Sequence, residues 1–568
     1  MIALIFVFAC AAAIAAYFTY GRLLERWFGM DRDRPTPAHG PDADGVDLAP
    51  APTPVLFGHH FSSIAGAGPI VGPIIAAQLF GWGPALAWIL VGAIFVGGVH
   101  DFGSLALSIR HGARSIAEVC RLYLSPLTYR AFLLFIWLTL VYVLVVFVDL
   151  TAAGFMAAPA EDPHQGGVVA SASLLFILAA AGLGLLLRRW SASLGPLAIV
   201  AIAIVALVLV VAYAAPVDAS DLPGVLGAHA KSTWIVLLLA YCFVAAITPV
   251  WLLLQPRDFL ASFLLYACLG AGGIGMLLAS ATGAAPVELA FFKGWSDADG
   301  SVLFPVLFIT VACGACSGFH SVVSSGTTAK QLRCESAARP VAYGAMLVEA
   351  VLAVFALGAV MVATGAAGAP TVTFSQGVGR FLSVFGIPPS VGAAFGLLAV
   401  STFLLTTLDT CTRLGRYLFE EFFDLCGKTW RPLATLFTLV PVGILALTPF
   451  SGADGAPISA WRLLWPAFGT TNQLMAGLAL LVIVVWRRSE AKSIWFVAAP
   501  MMFMLATTST SMVQLVRQHL LGGGRSLFVG VPVALMLGLT LLVIGDTARC
   551  WGRLGRPSAP AAPQPAAA

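Results

Sequence analysis

Apolar runs long enough to cross a bilayer follow one another along almost the whole chain. Taking a span as about 17–25 residues with few charges places them near 2–20, 58–80, 84–108, 131–154, 171–187, 195–214, 233–254, 259–282, 303–325, 341–365, 388–410, 432–449, 467–486, 493–513 and 527–545. Fifteen such spans leave room only for short loops. The sequence therefore predicts an all-α polytopic membrane protein without a soluble catalytic domain. Composition agrees, with 60% of 568 residues hydrophobic and 10% charged, more apolar surface than a soluble fold could bury.

Charge sets the expected topology. If the N-terminus lies outside, 24 of the 30 Lys and Arg fall on the inside. The six outside are Lys231, Lys293, Arg380, Arg462, Arg517 and Arg525. This is the positive-inside bias of a polytopic membrane protein with its N-terminus outside and its C-terminus inside. The first run has no Lys or Arg before it and Arg22 and Arg26 just after it, so it reads as a retained anchor and not a cleaved signal. The net charge of +4 comes without a basic stripe interleaved with aromatics, which excludes a nucleic-acid partner.

The remaining features imply no cofactor or metal. The ten cysteines are scattered, mostly in apolar runs, which argues against a disulfide framework. Cys313-Gly314-Ala315-Cys316, read as helix, puts both thiols on one face and suits close helix packing better than a metal or redox site. Asp31 to Pro54 reads as a flexible inside loop, Asp297-Ala298-Asp299-Gly300 as a turn lacking full calcium-loop spacing, and the Pro/Ala-rich tail from Pro557 as disordered.

Two apolar runs are interrupted. One breaks at Gly66-Ala67-Gly68-Pro69-Ile70-Val71-Gly72-Pro73, the other at Ala246-Ile247-Thr248-Pro249. Unwound backbone at membrane depth is tolerated only where it is buried or lines a cavity, and paired breaks mark a transporter's binding site. Four spans follow each interrupted one, so the second set is inverted relative to the first. The expected organisation is an anchor and loop at 1–57, repeats at 58–215 and 216–410, peripheral helices at 411–546 and a tail at 547–568. Gly66, Gly68, Gly72 and Thr248 then line the binding site. Ser317 and Ser321, in a polar small-residue tract, are further candidates, with close helix packing as the alternative. Gly469-Thr470-Thr471-Asn472-Gln473 is a similar tract outside the expected core. Half-helix N-termini would favour a small carboxylate or zwitterion.

Ionisable groups within spans are expensive and mark function. They are His100, Asp101, Asp149, His320, Glu349 and Asp409, with His59 and His60 at the inner mouth of the first break. An inner set of histidines and carboxylates suits a proton relay or a gate, because histidine titrates near neutrality. The alternative is local pairing, for Asp409 with Arg413 one turn on.

Several stretches match a known pattern: GHHFSSIAGAGPIVGP from Gly58, GGVHDFGSLALSIRHGARSIAEV from Gly97, TPVWLLLQPRDFL from Thr248, SGFHSVVSSGTTAKQL from Ser317, TTLDTCTRLGRYLFEEF from Thr406 and LWPAFGTTNQLMAGLAL from Leu464. In these the chain resembles the carbon starvation protein A family of bacterial inner-membrane transporters. The resemblance implies a LeuT-like five-plus-five inverted repeat and proton-coupled uptake of pyruvate or short peptides during carbon limitation. The chain is shorter than the longest members, which carry additional spans. Cys313, Cys316 and Cys411 stand where small residues are expected and carry no role the resemblance implies.

The leading expectation is a secondary transporter, not an enzyme, importing pyruvate or a related small carboxylate with protons. Di- and tripeptides are the alternative cargo, and sodium the alternative coupling ion. A membrane nutrient sensor would need a sizeable cytoplasmic domain, and the inside loops are short. An intramembrane enzyme would need a nucleophile elbow or an HExxH motif, and neither is present. No P-loop is present to drive pumping by ATP.

Overall fold

The computed structural model describes residues 1–552 apart from 32–33, 41–47, 49, 160–161, 188–193, 219–222, 224, 250–251, 298–299, 364–368, 426, 428, 453–454 and 523–525. The chain opens with α1 (Ile2–Phe18), which runs into the short amphipathic α2 (Tyr20–Phe28). α3 (Thr53–Ile64) and α4 (Gly68–Phe80) form one bent span, and α5 (Trp82–Val91) continues through a π-turn into α6 (Gly98–Arg110). After α7 (Ile116–Tyr123) come α8 (Pro126–Phe155), α9 (Gln165–Leu187), α10 (Leu194–Ala214), α11 (Val225–Ala228), α12 (Ala230–Ile247) and α13 (Leu254–Thr282). α14 (Leu303–Thr310) and α15 (Gly318–Val323) make a second interrupted span, prolonged by a π-turn over Ser324–Thr328. The rest are α16 (Ala345–Val362), α17 (Pro370–Leu382), α18 (Pro389–Phe422), α19 (Trp430–Leu447), α20 (Ala460–Ser489), α21 (Trp495–Val516) and α22 (Leu527–Cys550).

Thirteen helical stretches are long and apolar enough to cross a membrane, and the α3/α4 pair, bent by 44°, makes a fourteenth. The α14/α15 pair, whose helical pieces are short, occupies the run anticipated at 303–325, so each run anticipated from the sequence is helical at least in part. Burial sorts them. The apolar window of α20 is wholly buried and those of α8, α16 and α18 nearly so, whereas α1, α10, α12, α19 and α22 turn most of theirs outward. Leu4, Phe8 and Ile14 on α1 and Ile199, Leu207 and Val210 on α10 are exposed. Apolar surface of this extent is tolerable only against lipid.

The first expected break is real. Helical geometry stops at Ile64, and Ala65 leaves it with φ −75° and ψ 57°. Gly66 N then donates to Ile64 O at 2.8 Å, and α4 restarts with Pro69 in its first turn, where the missing N–H costs nothing. The second expected break is not an interruption. Thr248, pushed to extended geometry by the following proline (φ −75°, ψ 145°), ends α12, and the chain turns into α13 as a separate span. The reason is length. α12 starts at Ala230, and its 18 residues rise about 27 Å, enough to cross by Ile247.

The second interruption lies at Val311–Ser317, between α14 and α15. Val311 (φ −87°, ψ 69°) and Ser317 (φ −128°, ψ 126°) are both non-helical. The Cys313–Cys316 pair therefore sits on unwound chain and not on a helix face. The loop expected to be flexible is pinned in its described parts, with Ala51 N donating to Gln331 O at 3.0 Å and Thr36 Oγ1 donating to Leu332 O. Asp297 Oδ1 accepts from Ser301 N at 2.7 Å as a turn would, although Ala298 and Asp299 lie outside the described residues, as does the tail from Pro557.

The two interrupted spans lie against each other, α4 on α14 and α3 on α15, which makes them antiparallel. The rest of the packing repeats in the same sense. α8 lies on α18 and α12 on α19; α13 packs on α18 as α20 packs on α8. The contact at the breaks is backbone-close. A Cβ on Gly68 would overlap the Cys313 side chain, and one on Gly72 would come 2.5 Å from Thr310 O. Gly72→Ala should therefore destabilise the fold by about 1–3 kcal/mol through overpacking. Thermal unfolding in detergent should show a lowered Tm, and a wild-type Tm would contradict the close crossing.

Candidate functional site

Break residues must have their backbone groups satisfied inside the protein. At the second break α20 does this. Gln473 Nε2 donates to the last carbonyls of α14, to Phe308 O at 2.5 Å and Val311 O at 3.3 Å, and Trp88 Nε1 adds a bond to Val311 O at 3.2 Å. Asn472 Oδ1 accepts from Phe319 N at 3.0 Å in the first turn of α15, and Asn472 Nδ2 donates to Ser317 Oγ at 3.0 Å. The Gly469–Gln473 tract, placed outside the core from sequence, thus belongs to it. Ser321 is buried and donates to Gly318 O at 2.7 Å. At the first break a Cβ on Gly66 would lie 2.6 Å from Thr407 Oγ1 of α18, so Gly66, Gly68 and Gly72 all sit at helix contacts.

Immediately beside the breaks, α6, α15 and α16 bring four ionisable side chains together with no solvent exposure. Asp101 bridges two imidazoles, His100 Nδ1 at 2.7 Å and His320 Nδ1 at 2.8 Å. The other face of His320 meets Glu349, with Nε2 3.3 Å from Oε2. His100, Asp101 and His320 are therefore joined by hydrogen bonds, and Glu349 extends the row at ion-pair distance without a hydrogen bond to His320. His60, on α3, is buried close by and pairs Nδ1 with Thr328 Oγ1 at 2.8 Å. Polar atoms in this region exceed the protein partners for them: His60 Nε2, His100 Nε2, Ser62 Oγ, Ser104 Oγ, Ser324 Oγ and the Glu349 carboxylate make no hydrogen bond. His59 stands at the edge, 3.5 Å from Asp258 on α13.

The other candidates are placed elsewhere. Asp409 does not pair with Arg413. Its Oδ2 is held by Arg257 Nη1 and, at 2.5 Å, by Tyr241 OH, which ties α18 to α13 and α12. Arg257, expected in an inside loop, is fully buried and also donates to Leu405 O at 3.2 Å. Arg413 instead caps α12, donating to Ala245 O at 2.7 Å and Thr248 O at 2.8 Å. Thr248 therefore belongs to a helix end on α18 and not to the second break. Asp149 pairs with Lys231 at 2.7 Å and accepts from Trp461 N at 3.0 Å, at the start of α20.

Partner chemistry separates these groups. Asp409 faces a guanidinium and Asp149 an ammonium, so neither has a partner suited to passing a proton on at neutral pH. A carboxylate whose partner is imidazole can exchange a proton with it near neutral pH. By that criterion the His100–Asp101–His320–Glu349 row is the part of the buried charge suited to carrying a proton.

Antiparallel interrupted spans meeting at their breaks, with α8/α18 and α12/α19 packed in matching pairs, define a membrane transporter of the LeuT-like five-plus-five inverted-repeat class. The same fold is seen in a manganese transporter from Eremococcus coleocola, at TM-score 0.52 and 11% identity over 90% of this chain and 98% of that one. The family model for carbon starvation protein CstA matches residues 1–367 and 361–511, and the chain belongs to that family. It is 30% identical to a Bacillus subtilis protein named peptide transporter CstA, over 96% of each chain. It is 31% identical to the Campylobacter jejuni peptide transporter CstA over 88% of this chain and 79% of that one. It is also 30% identical to the Escherichia coli pyruvate/proton symporter BtsT, over 89% of this chain and 80% of that one.

If Arg257–Asp409 is a structural pair, removing one partner strands a buried charge. Arg257→Ala should cost about 3–5 kcal/mol, and the double replacement R257M/D409L should recover most of it. Yield and Tm in detergent check this. A fully stable Asp409→Asn protein that has lost only proton-driven uptake would instead place Asp409 in the coupling path.

Proposed function

We propose that this protein is a secondary transporter importing a small carboxylate, pyruvate or a close relative, together with protons across the bacterial inner membrane. The observation that carries the reading is His320, enclosed between Asp101 and Glu349 and two residues into the helix that follows the second break. Cargo held at the breaks and a proton held on this row would share α15. Moving one would then alter the surroundings of the other. The orphan polar atoms around His60, Ser62, Ser104 and Ser324 supply groups that cargo or water could satisfy during the cycle.

The two repeats in this reading run from α3 to α13 and from α14 to α20, with the α9–α10 hairpin inserted in the first and α17 in the second. What supports this division over the boundaries 58–215 and 216–410 is the pairing of α4 with α14, α8 with α18 and α12 with α19. A small carboxylate suits the start of the 13-residue α4, where Ile70 and Val71 N–H already bond Ala67 O and the N–H groups of Ala67 and Gly68 are left for it. The reading also takes the positive-inside count as the topology, with the N-terminus periplasmic and α3 and α15 as the cytoplasmic halves. A second reading, di- and tripeptide uptake, is favoured by the name that several relatives carry.

Uptake of labelled pyruvate into proteoliposomes under an imposed pH gradient tests the proposal, with unlabelled dipeptide as competitor. Accumulation above protein-free vesicles is expected. No accumulation by folded protein, or displacement by peptide and not by pyruvate, would contradict the small-carboxylate reading. In the same assay Asp101→Asn and His320→Asn should lower proton-driven uptake on the order of tenfold or more, about 1.4 kcal/mol or more, while sparing cargo exchange. Equal loss of both modes would remove these residues from coupling.

A further inference from the structure

Away from the transport site, α2 and the segment leading into α16 enclose a cleft of about 410 Å³ lined by Arg22, Glu25, Arg26, Met30, Ser336 and Arg339. That volume falls in the range of small-molecule sites, about 300–1,000 Å³. Its charge is one-sided, with three guanidinium groups against one carboxylate. Glu25 is already committed to Arg339 at 2.9 Å. Glu335, beside Ser336, does not neutralise the cleft, because its carboxylate is held by Arg110 at 2.7 Å and Arg34 at 3.7 Å. Among the described residues, neither Arg22 nor Arg26 pairs with a carboxylate.

The positive-inside rule explains arginines near a span's end. It does not explain their convergence from two elements more than 300 residues apart in sequence, nor how the walls hold them. The Arg339 guanidinium stacks 4.9 Å from the Tyr17 ring centroid, its Nε is buried without a hydrogen-bond partner, and Arg22 lies 5.8 Å from the Phe18 ring centroid. On the same turns, Phe18 is 51% and Leu23 38% exposed. The cleft thus opens where α1, the outward-facing apolar helix, gives way to charged α2. Anionic headgroups sit at that depth, and acyl chains would continue along the exposed apolar face.

We propose that this cleft binds the phosphate of an anionic glycerophospholipid, with Arg22, Arg26 and Arg339 as its ligands. The lipid bridges α2 to the π-turn at Arg339–Gly344 that leads into α16, the helix carrying Glu349.

Native mass spectrometry of the full chain in detergent, titrated with phosphatidylglycerol, tests this. A tightly retained phosphatidylglycerol is expected, with phosphatidylcholine binding much more weakly. R22Q/R26Q should weaken the retained lipid on the order of tenfold or more. R22K/R26K, which keeps the charge, should retain most of the affinity and guards against misreading a folding defect. Equal retention of the two lipids, or wild-type affinity in R22Q/R26Q, would overturn the proposal. So would displacement of the lipid by inorganic phosphate at equal concentration, which would assign the cleft to a free anion.

Discussion

A bilayer interior offers no water to an unpaired backbone group, so every N–H and C=O that leaves a helix there must find a partner in the protein. Both interruptions in this chain are built around that requirement. Near Val311–Ser317, the amides of Asn472 and Gln473 and the indole of Trp88 replace helical hydrogen bonds. At Ala65–Ala67 the chain closes a tight turn of its own and presses glycine against α18. The two breaks can then lie against each other because Gly68 and Gly72 leave no side chain in the way. α20 is the most deeply buried span because it is the element that makes the second break tolerable.

The buried charges follow the same logic with a different outcome for each partner type. Arg257–Asp409 joins α13 to α18 across the two repeats and Lys231–Asp149 joins α12 to α8 within the first, each carboxylate facing a guanidinium or an ammonium. The pairs fix geometry at the cost of desolvation. Around Asp101 the positive members are imidazoles, and the carboxylate–imidazole–carboxylate order from Asp101 through His320 to Glu349 leaves more than one place for a proton. His320 stands on α15, one turn from unwound backbone, so in the proposed cycle a proton on it would act on the helix that borders the proposed cargo site.

The sequence made much of this legible and hid the rest for definite reasons. Apolar length locates the thirteen long helices and the bent α3/α4 pair, because lipid demands it. The first break showed through Gly66, Gly68, Pro69 and Pro73, residues that interrupt helices by their own chemistry. The second break has no proline. Val311-Ala312-Cys313-Gly314-Ala315-Cys316 is compatible with helix, and only the surrounding packing unwinds it. Thr248-Pro249 drew attention by its proline, yet a proline at a span's end and one in mid-span look alike without the helix's starting point. Depth puts His59, His60, His100, Asp101, His320 and Asp409 on one side, and of these the structure brings His100, Asp101 and His320 into contact while Asp409 sits with Arg257. The partners of Asp149 and Asp409 are not legible, since Lys231 and Arg257 are remote in sequence and charge patterning alone assigns both to loops. The Asn472-Gln473 pair carried a signal, adjacent amides in an apolar helix, that periodicity alone cannot assign to a partner.

The central claim is that cargo is held where two antiparallel interrupted spans meet, at 65–68 and 311–317. A cryo-electron-microscopy map of the protein with pyruvate tests this directly. The account predicts ligand density bounded by the start of α4 and the Val311–Ser317 segment, within reach of the His320-bearing helix. Density elsewhere, for example beside the Thr248-Pro249 turn, with both breaks sealed by side chains, would contradict it.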